Sequence, residues 1–362
     1  MVKRYNSEKI KQLVFKIYQA YGFSNEDSEK VAATLLYTDL HGIESHGVQR
    51  LAMYDHFIQN GKIRVQSKPE IIKETDVSAV VDAHFGLGQL NGIYSMEVAI
   101  QKAKEHGVGI VTTKNSGHYG IAGFYANLAA TAGLIGMSST NSRPAMVPTH
   151  AMKAFIGTNP IGFAMPAKPH PFIFDAATST VPQGKIEVYR KLEKDFPAFW
   201  VAKNGTEPVT SHTDKKDLDL LRDPDANVAL TPLGGVAEET GSHKGFGLGI
   251  IVEIFTSILS LGNISTEISP ENLEVGPCQS FVAIDPAIFG DKEQIIERFS
   301  AYLQDIRHLP AVPGKTIYVH GDKEALAYEN AKKYGIEIDD RTLEEITAIA
   351  KRLHVSTSEY LN

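Results

Sequence analysis

The densest group of reactive side chains lies in residues 39–51, which read DLHGIESHGVQRL. A helix that begins near His46 would place His46 and Arg50 four residues apart, on one face. A guanidinium can grip a planar carboxylate, and an imidazole can pass a proton to a carbonyl oxygen. The pair therefore suits the chemistry of a small 2-oxo acid and its 2-hydroxy counterpart.

Such an imidazole needs a hydrogen-bonding neighbour that fixes its tautomer. Ser45, Glu44 and Asp39 are the three candidates, and the sequence does not choose between them. The alternative for the whole segment is structural: His46 would cap a helix and Arg50 would form a surface ion pair.

A second cluster, KNSGHYGIAG at 114–123, follows a strand candidate and opens a helical pattern. Backbone N–H groups at such a turn can bind a phosphate. The alternative is that Gly117 and Gly120 only form a tight turn and His118 is a loop histidine. The glycines of GLGQLNG at 86–92 do not have the G-x-G-x-x-G order of a dinucleotide fingerprint.

Three later segments, 156–167, 174–188 and 241–253, each join an apolar run to small and polar residues. A pocket for a large polar ligand needs such backbone-rich walls. Lys244 stands near a helix start, where it would bind a phosphate or a ribose hydroxyl, or would simply be solvated.

The composition favours a globular protein of about two domains, with 362 residues, 43% hydrophobic and 22% charged. A net charge of -7 argues against binding nucleic acid or anionic lipid. A single cysteine, Cys278, rules out an intrachain disulfide and suits a reducing cytoplasm. We recognise neither a signal peptide nor a membrane span and expect a cytoplasmic protein.

Helical patterns occupy both ends of the chain. The first covers 7–21, and a second begins at Ser24, where Ser24 and Asp27 fit the capping-box pattern. The last covers 342–353, where Thr342 and Glu345 match a capping box.

Between these ends, short apolar runs alternate with helical patterns, which predicts an α/β fold. An almost wholly apolar helix at 245–261 should be buried, and the polar, turn-rich stretch 192–233 should be an excursion over the surface. The strand candidates are 78–83, 107–113, 133–140, 172–176 and 280–285.

Six blocks in this order resemble the malate/L-lactate dehydrogenase family, whose members include ureidoglycolate, sulfolactate and diketogulonate enzymes and a cyclic-imine reductase. The match runs from Ser7 to at least Lys315. The blocks are DLHGIESHGVQRL, NSGHYGIAGFYA, GTNPIGFAMPA, DAATSTVPQGKI, HKGFGLGIIVEI and VPGK.

The resemblance implies an α/β nicotinamide-binding fold that is not the Rossmann fold, with a helical domain formed by the two chain ends. It also implies a homodimer whose active site lies near the domain and subunit boundary. We expect residues 1–75 to form the helical N-terminal part, 76–295 the α/β nicotinamide-binding domain, and 296–362 C-terminal helices that pack back on the N-terminal part.

The resemblance further implies that His46 donates the proton, that Ser45 is its hydrogen-bonding neighbour, and that Arg50 binds the substrate carboxylate. His118 takes the acid/base role in some members and ranks second here, and Thr158 contacts the substrate. The residues implied for the cofactor are His118, Tyr119, Gly120, Ile121, Ala122, Ser142, Asp175, Ala176, Ala177, Gln183, Gly184, Lys244, Pro313, Gly314 and Lys315.

Two departures from the family pattern affect the cofactor. Gln183 stands where relatives usually carry arginine or another residue, and RHLPA precedes VPGK. The choice between NAD and NADP is therefore open, with NAD slightly preferred, and malate is the first choice of acid.

Two functions of other classes compete with this one. A metal-dependent hydrolase or lyase would use His41, His46, His56 and His118, because imidazole is a good ligand for zinc or manganese. A non-catalytic binding protein is the other, although the reactive residues 39–50 argue against it. We expect no metal.

Overall fold

The computed structural model describes residues 3–191, 194–210, 215–223, 226–269 and 271–361. Its strands are β1 (Lys3–Tyr5), β2 (Glu70–Glu74), β3 (Ser78–Asp82), β4 (Val108–Lys114), β5 (Ile135–Thr140), β6 (Ile161–Met165), β7 (Phe172–Ala176), β8 (Val201–Lys203), β9 (Glu207–Val209), β10 (Val228–Leu230), β11 (Gln279–Ile284) and β12 (Ile336–Ile338). Its α-helices are α1 (Ser7–Ala20), α2 (Asn25–Leu40), α3 (Leu51–Gln59), α4 (Gly88–His106), α5 (Ala122–Thr131), α6 (Gln183–Lys191), α7 (Lys215–Asp219), α8 (Ser242–Glu253), α9 (Lys292–Arg307), α10 (Asp322–Tyr334) and α11 (Asp340–Arg352).

The central sheet has the strand order β2-β3-β4-β11-β5-β6-β7. Only β3 and β4 run parallel, and the other neighbours are antiparallel. Helices α4 and α5 pack against this sheet. A Rossmann sheet is mostly parallel, so the predicted non-Rossmann α/β fold is confirmed. All five strand candidates form strands, as β3, β4, β5, β7 and β11.

The two chain ends share one apolar core. β1 pairs antiparallel with β12, and Leu13 and Ile17 of α1 are buried in the same cluster as Ile346 and Ile349 of α11. The antiparallel pairing brings the N-terminus and the C-terminal helices together. None of the described helices is long and apolar enough to cross a membrane.

The helix starts follow local capping, with one correction. The hydroxyl of Ser24 accepts a hydrogen bond from Asp27 N (3.1 Å), so α2 is capped where the sequence predicts. The predicted cap at Thr342 is wrong, because Asp339 caps α11 and its carboxylate accepts from Thr342 N (3.0 Å). Aspartate caps a helix as well as threonine does, so α11 begins at Asp340 and not at the predicted Thr342.

The predicted surface excursion at 192–233 is wrong in part. Strands β8, β9 and β10 form a small antiparallel sheet, and Trp200 is buried in an apolar cluster to which residues of these strands belong. The apolar residues scattered between the turns therefore form a separate small core. Residues 192, 193, 211–214, 224 and 225 of this stretch lie outside the described residues.

The helix predicted at 245–261 forms, but its predicted burial is wrong. Helix α8 continues through the π-helical turn Ile254–Ile258. One side packs inward at Gly249 and Val252, whereas Ile251 is 48% exposed and Ile258 is 52% exposed. A single chain covers only one side of a helix that is apolar all round, which leaves a broad apolar face outside.

The connection from α2 to α3 is not the helix predicted to begin near His46. Two 3-10 turns, Glu44–His46 and Val48–Arg50, precede α3. Gly47 separates them with φ -85° and ψ -143°. A Cβ on Gly47 would lie 1.8 Å from an Asp39 carboxylate oxygen, and Asp39 accepts from Val48 N (2.9 Å). Burial raises the pKa of Asp39 to about 8.

We predict that Gly47→Ala displaces Asp39, because the added methyl group and that carboxylate cannot occupy the same space. The expected loss of stability is about 1–3 kcal/mol. Thermal unfolding monitored by circular dichroism measures it. The parent protein is the reference for that loss. Equal midpoints for Gly47→Ala and the parent protein would contradict the contact between Gly47 and Asp39.

Candidate active site

One cavity of about 610 Å³ gathers residues from chain segments that are far apart in sequence. Its walls come from the α2–α3 connection and α3, the β4–α5 connection, the segment after β5, and the start of α6. The sequence-predicted site residues that line it are His46, Arg50, His118, Tyr119, Gly120, Ser142, Thr158, Gln183 and Gly184.

The imidazole of His46 is held by its neighbour in sequence. Ser45 Oγ lies 2.8 Å from His46 Nδ1. Of the three candidate partners, Asp39 is instead engaged with the backbone of Val48. The contact on Nδ1 leaves Nε2 as the ring nitrogen for a ligand in the cavity.

Arg50 is anchored to the same turn and faces the start of α6. Its Nε donates to the carbonyl oxygen of Ser45 (2.6 Å). A Cβ on Gly184 would lie 3.0 Å from Arg50 Nη2, so the amino end of α6 abuts the guanidinium. Unpaired backbone N–H groups at a helix start favour anions, as the guanidinium does.

His118 belongs to the β4–α5 connection and meets His46 across the cavity. Gly120 N–H donates to His118 Nδ1 (3.4 Å), and the Tyr54 hydroxyl lies 2.8 Å from the same nitrogen. Because a backbone N–H can only donate, Nδ1 accepts and the ring proton lies on Nε2. The rings of His46 and His118 stack, with centroids 5.6 Å apart and planes at 14°.

The electrostatics of the cavity keep both imidazoles neutral near pH 7. Burial and the charge of Arg50 lower the pKa of His46 to about 4. Burial, His46 and Arg50 together hold the pKa of His118 well below its usual range. Among the described residues that line the cavity there is no carboxylate. The lining is therefore positive and suited to an anion.

The remaining predicted residues do not line the cavity. Ser45 lies behind His46, and the Asp175 carboxylate accepts from Gly123 N (2.6 Å) in the first turn of α5. Lys244 is exposed in the first turn of α8. The residues outside the lining are Ser45, Ile121, Ala122, Asp175, Ala176, Ala177, Lys244, Pro313, Gly314 and Lys315.

Several lining residues were not found from the sequence. Two are cations: Lys62, in the turn after α3, and Arg143, which directly follows the predicted Ser142. The position of Arg143 beside Ser142 was the available signal, whereas Lys62 belongs to no motif. The other lining residues that the sequence did not assign to the dehydrogenase site are Met53, His56, Phe57, Ile63, Ser116, Gly117, Thr140, Asn141, Ala145, Pro160, Pro182, Ile268, Ser269 and Pro277.

The cavity has the chemistry that a nicotinamide requires. Gly120 has φ +86° and open space where a side chain would stand, so its backbone is accessible. Thr140 and Asn141 offer hydroxyl and amide groups to a carboxamide, and prolines such as Pro277 offer an apolar surface to a ring. The residues present therefore fit such a group.

The histidines of the metal alternative do not all meet. His41 lies outside the cavity lining, where its ring stacks on Tyr37 and its Nδ1 donates to the Tyr37 carbonyl oxygen (2.6 Å). Within the described residues, no three histidine, cysteine or acidic side chains are grouped closely enough to hold a metal ion.

Comparison with known proteins agrees with this architecture. The family model for malate/L-lactate dehydrogenase matches residues 5–347. A malate dehydrogenase of Pyrococcus horikoshii is 41% identical over 97% of this chain and 96% of its own length, and a malate/(S)-sulfolactate dehydrogenase of Methanothermus fervidus is 32% identical over 96% and 97%. The crystal structure of malate dehydrogenase from Entamoeba histolytica superposes with a TM-score of 0.93 at 34% identity, covering 98% of this chain and 99% of that one. The chain belongs to the malate/L-lactate dehydrogenase family of oxidoreductases.

Proposed function

We propose that the protein is a nicotinamide-dependent oxidoreductase that interconverts malate and its 2-oxo acid. The observation that carries the proposal is the convergence of Arg50, His46 and His118 on one cavity that no described carboxylate lines. Relatives named malate dehydrogenase at 38–41% identity favour malate as the acid. Sulfolactate is the second candidate, because relatives at 32% identity are named for it.

Arg50 binds the carboxylate next to the reacting carbon. Its guanidinium offers a planar fork of donors, and the amino end of α6 adds backbone N–H groups at the same place. Because Nε is already bonded to the Ser45 carbonyl oxygen, the guanidinium is held in position before the acid arrives. Such positioning is a main source of rate in reactions of this kind.

His46 moves the proton at the oxygen of the reacting carbon. When the hydroxy acid is oxidised, neutral His46 takes that proton on Nε2 while Ser45 holds Nδ1. In the reverse direction the protonated ring returns it. His118 carries a proton on Nε2 and stabilises the same oxygen as a neutral hydrogen-bond donor.

A bound nicotinamide supplies the electron pair as hydride or accepts it. The turn at His118–Gly120, with Thr140, Asn141 and Ser142, would hold it against the substrate. We infer a preference for NAD over NADP, and the support is a relative at 30% identity that is named ureidoglycolate dehydrogenase (NAD(+)).

We expect His46→Ala to lower kcat by about 10²–10⁴-fold, because it removes the group that moves the proton. The affinity for NADH should stay nearly unchanged. Steady-state assays of oxaloacetate reduction, with NADH titrated by fluorescence, measure both quantities. His56→Ala is the control, since it removes an imidazole from the same cavity wall. An unaltered kcat in the His46 variant would exclude it from the chemistry.

The substrate and the cofactor are tested together. Absorbance loss is followed for oxaloacetate, pyruvate and 3-sulfopyruvate, each with NADH and with NADPH. The proposal expects the highest kcat/KM for oxaloacetate with NADH. Failure of every combination would refute the proposed activity, and a higher value for sulfopyruvate would favour the second candidate.

We predict that binding of the acid takes up a proton. Burial, and after it the charge of Arg50, lower the pKa of His46 to about 4, and a carboxylate on Arg50 offsets that charge, so the pKa of His46 rises on binding. The bound state therefore holds more protons between about pH 4 and the raised pKa of the complex, and affinity for oxaloacetate should fall as pH rises through that window. Calorimetry of the enzyme–NAD complex in buffers of different ionisation enthalpy measures the uptake.

His46→Gln is the control for that measurement, because it keeps a polar side chain that cannot titrate. The proton uptake should disappear in this variant. Equal binding heats in all buffers for the parent protein would contradict the coupling between Arg50 and His46.

We infer a homodimer in which the exposed face of α8 and its continuation is covered by the partner. This helix is apolar on all sides, yet the large apolar side chains of its outward face are exposed to solvent in the single chain. An exposed apolar face of this kind supports an interface with a partner. The exposed members are Leu248, Ile250, Ile251, Ile254, Ile258, Leu259 and Leu261.

We predict that the double variant Ile251→Glu/Ile258→Glu is monomeric, since buried carboxylates oppose association. Light scattering coupled to size-exclusion chromatography gives the mass directly. Exposed Phe289, on another surface, provides the matched control as Phe289→Glu. A parent protein with the mass of one chain would refute the dimer.

We infer a cytoplasmic location as well. Cys278 is free and buried in the sheet region, and burial raises the pKa of its thiol to about 12. A chain with one unreactive thiol forms no intrachain disulfide, so it gains no stability from an oxidising compartment and suits the reducing cytoplasm.

A further inference from the structure

We propose that Glu253 is a positioning residue of the active site, because its carboxylate fixes the two chain segments that carry Ser142 and Thr158 at the cavity wall. The inference rests on the proposed function, in which Ser142 helps to hold the nicotinamide. Thr158 is the substrate contact that the family resemblance implies. Both residues line the cavity, whereas Glu253 lies outside its lining and acts through its neighbours.

Glu253 stands where few charged residues would. It is the last residue of α8 and the one charged residue in the almost wholly apolar stretch 245–261. The next residue, Ile254, is exposed, whereas Glu253 is half-buried and bonded to the β5–β6 connection. A carboxylate that leaves water destabilises the fold unless hydrogen bonds compensate it. Its hydrogen-bond partners therefore identify its task.

Among the described residues, four buried side chains donate to the two carboxylate oxygens of Glu253. Oε1 accepts from Asn159 Nδ2 (3.1 Å) and from Ser265 Oγ. Oε2 accepts from Asn141 Nδ2 (3.3 Å) and from Ser257 Oγ (2.7 Å). Because Asn141 follows β5 and Asn159 precedes β6, Glu253 joins the end of α8 to both ends of the β5–β6 connection.

These bonds hold Thr158 from both sides along the chain. Asn159, which follows it, donates directly to Glu253. Gly157, which precedes it, donates its N–H to Ser265 Oγ (3.0 Å), and Ser265 in turn donates to Glu253. Loss of the carboxylate therefore releases both neighbours of Thr158.

Ser142 is held through the same amide. Asn159 Oδ1 accepts from Ser142 N (3.2 Å), and Ser142 Oγ accepts from Thr158 N (3.2 Å). The donating end of the Asn159 amide faces Glu253 and the Gly249 carbonyl oxygen (3.1 Å), of which the carboxylate is the stronger acceptor. Since an amide has one donating and one accepting end, these bonds leave its oxygen for Ser142.

Two substitutions separate the hydrogen bonds of Glu253 from the bulk of its side chain. Glu253→Gln keeps one acceptor oxygen, and its new NH₂ group faces side chains that donate, so only part of the network can form. Glu253→Met has a similar length and offers only a weak acceptor, so it leaves the buried donors unpaired. The effect should therefore grow from the first variant to the second.

The test measures kcat and the KM values for NADH and oxaloacetate. Glu253→Met should raise each KM roughly 10- to 100-fold, the range for buried donors left without an acceptor, and Glu253→Gln should raise each by about three- to tenfold. The change in kcat should be smaller, since His46 and Arg50 lie on another segment. A mere loss of folded protein lowers kcat alone, because the molecules that remain folded bind normally.

Asp285→Asn is the matched control. Asp285 is also half-buried, accepts from Ala287 N (3.0 Å) and contacts Lys292 Nζ (3.2 Å), but it lies outside the cavity lining. Its KM values should equal those of the parent protein. Unchanged KM values in the Glu253 variants, with or without a lower melting temperature, would overturn the positioning role. Where Glu253→Met does not fold, Glu253→Gln decides.

Hydrogen exchange followed by mass spectrometry gives a readout that needs no turnover. Peptides that contain the N–H groups of Ser142 and Thr158 should exchange more than about tenfold faster in Glu253→Met, because the acceptors that protect these groups lose their support. Exchange equal to that of the parent protein overturns the inference. If the parent protein neither binds NADH nor reduces any of the acids, the proposed function fails, while the exchange rates still decide whether Glu253 holds these two residues.

Discussion

The positive charge of Arg50 lies beside two imidazoles, with no carboxylate among the described residues of the lining, and it is the constraint on which the site depends. Burial and this charge lower the pKa values of His46 and His118, so both imidazoles are neutral near pH 7. In the proposed function, an acid bound to Arg50 offsets its charge, and the pKa of His46 then rises. The proposed acid/base chemistry is therefore coupled to the binding of a substrate anion.

That constraint explains why the reactive residues lie on an irregular connection. A continuous helix would fix His46 and Arg50 by its own repeat, whereas the two 3-10 turns let Ser45 bond to both, through its hydroxyl and its carbonyl oxygen. Gly47 and Asp39 maintain the bend, since their contact leaves no room for a side chain. The buried carboxyl group of Asp39, which lies outside the cavity lining, thus helps to position His46 and Arg50 inside the cavity.

Patterns local in sequence predicted the strands, the cap at Ser24 and the motif that holds His46. They failed where distant chain segments decide the outcome. The bend at Gly47 arises from Asp39, eight residues earlier, and no periodicity reports such a collision. Similarly, Arg143 lines the cavity because the β5–β6 connection folds towards α3. The outward face of α8 remains exposed because one chain covers only the inner side of this helix.

The different roles that we propose for His46 and His118 follow from the direction of the hydrogen bond between Gly120 and His118. Gly120 N–H can only donate, so His118 Nδ1 must stay unprotonated while that bond exists. A second proton on His118 would break the bond and place a cation against Arg50 and His46. Ser45 Oγ imposes no such limit on His46, because a hydroxyl can either donate to Nδ1 or accept from it. His46 can therefore gain and lose a proton without breaking its hydrogen bond to Ser45, which favours His46 as the proton carrier that we propose and His118 as the fixed donor.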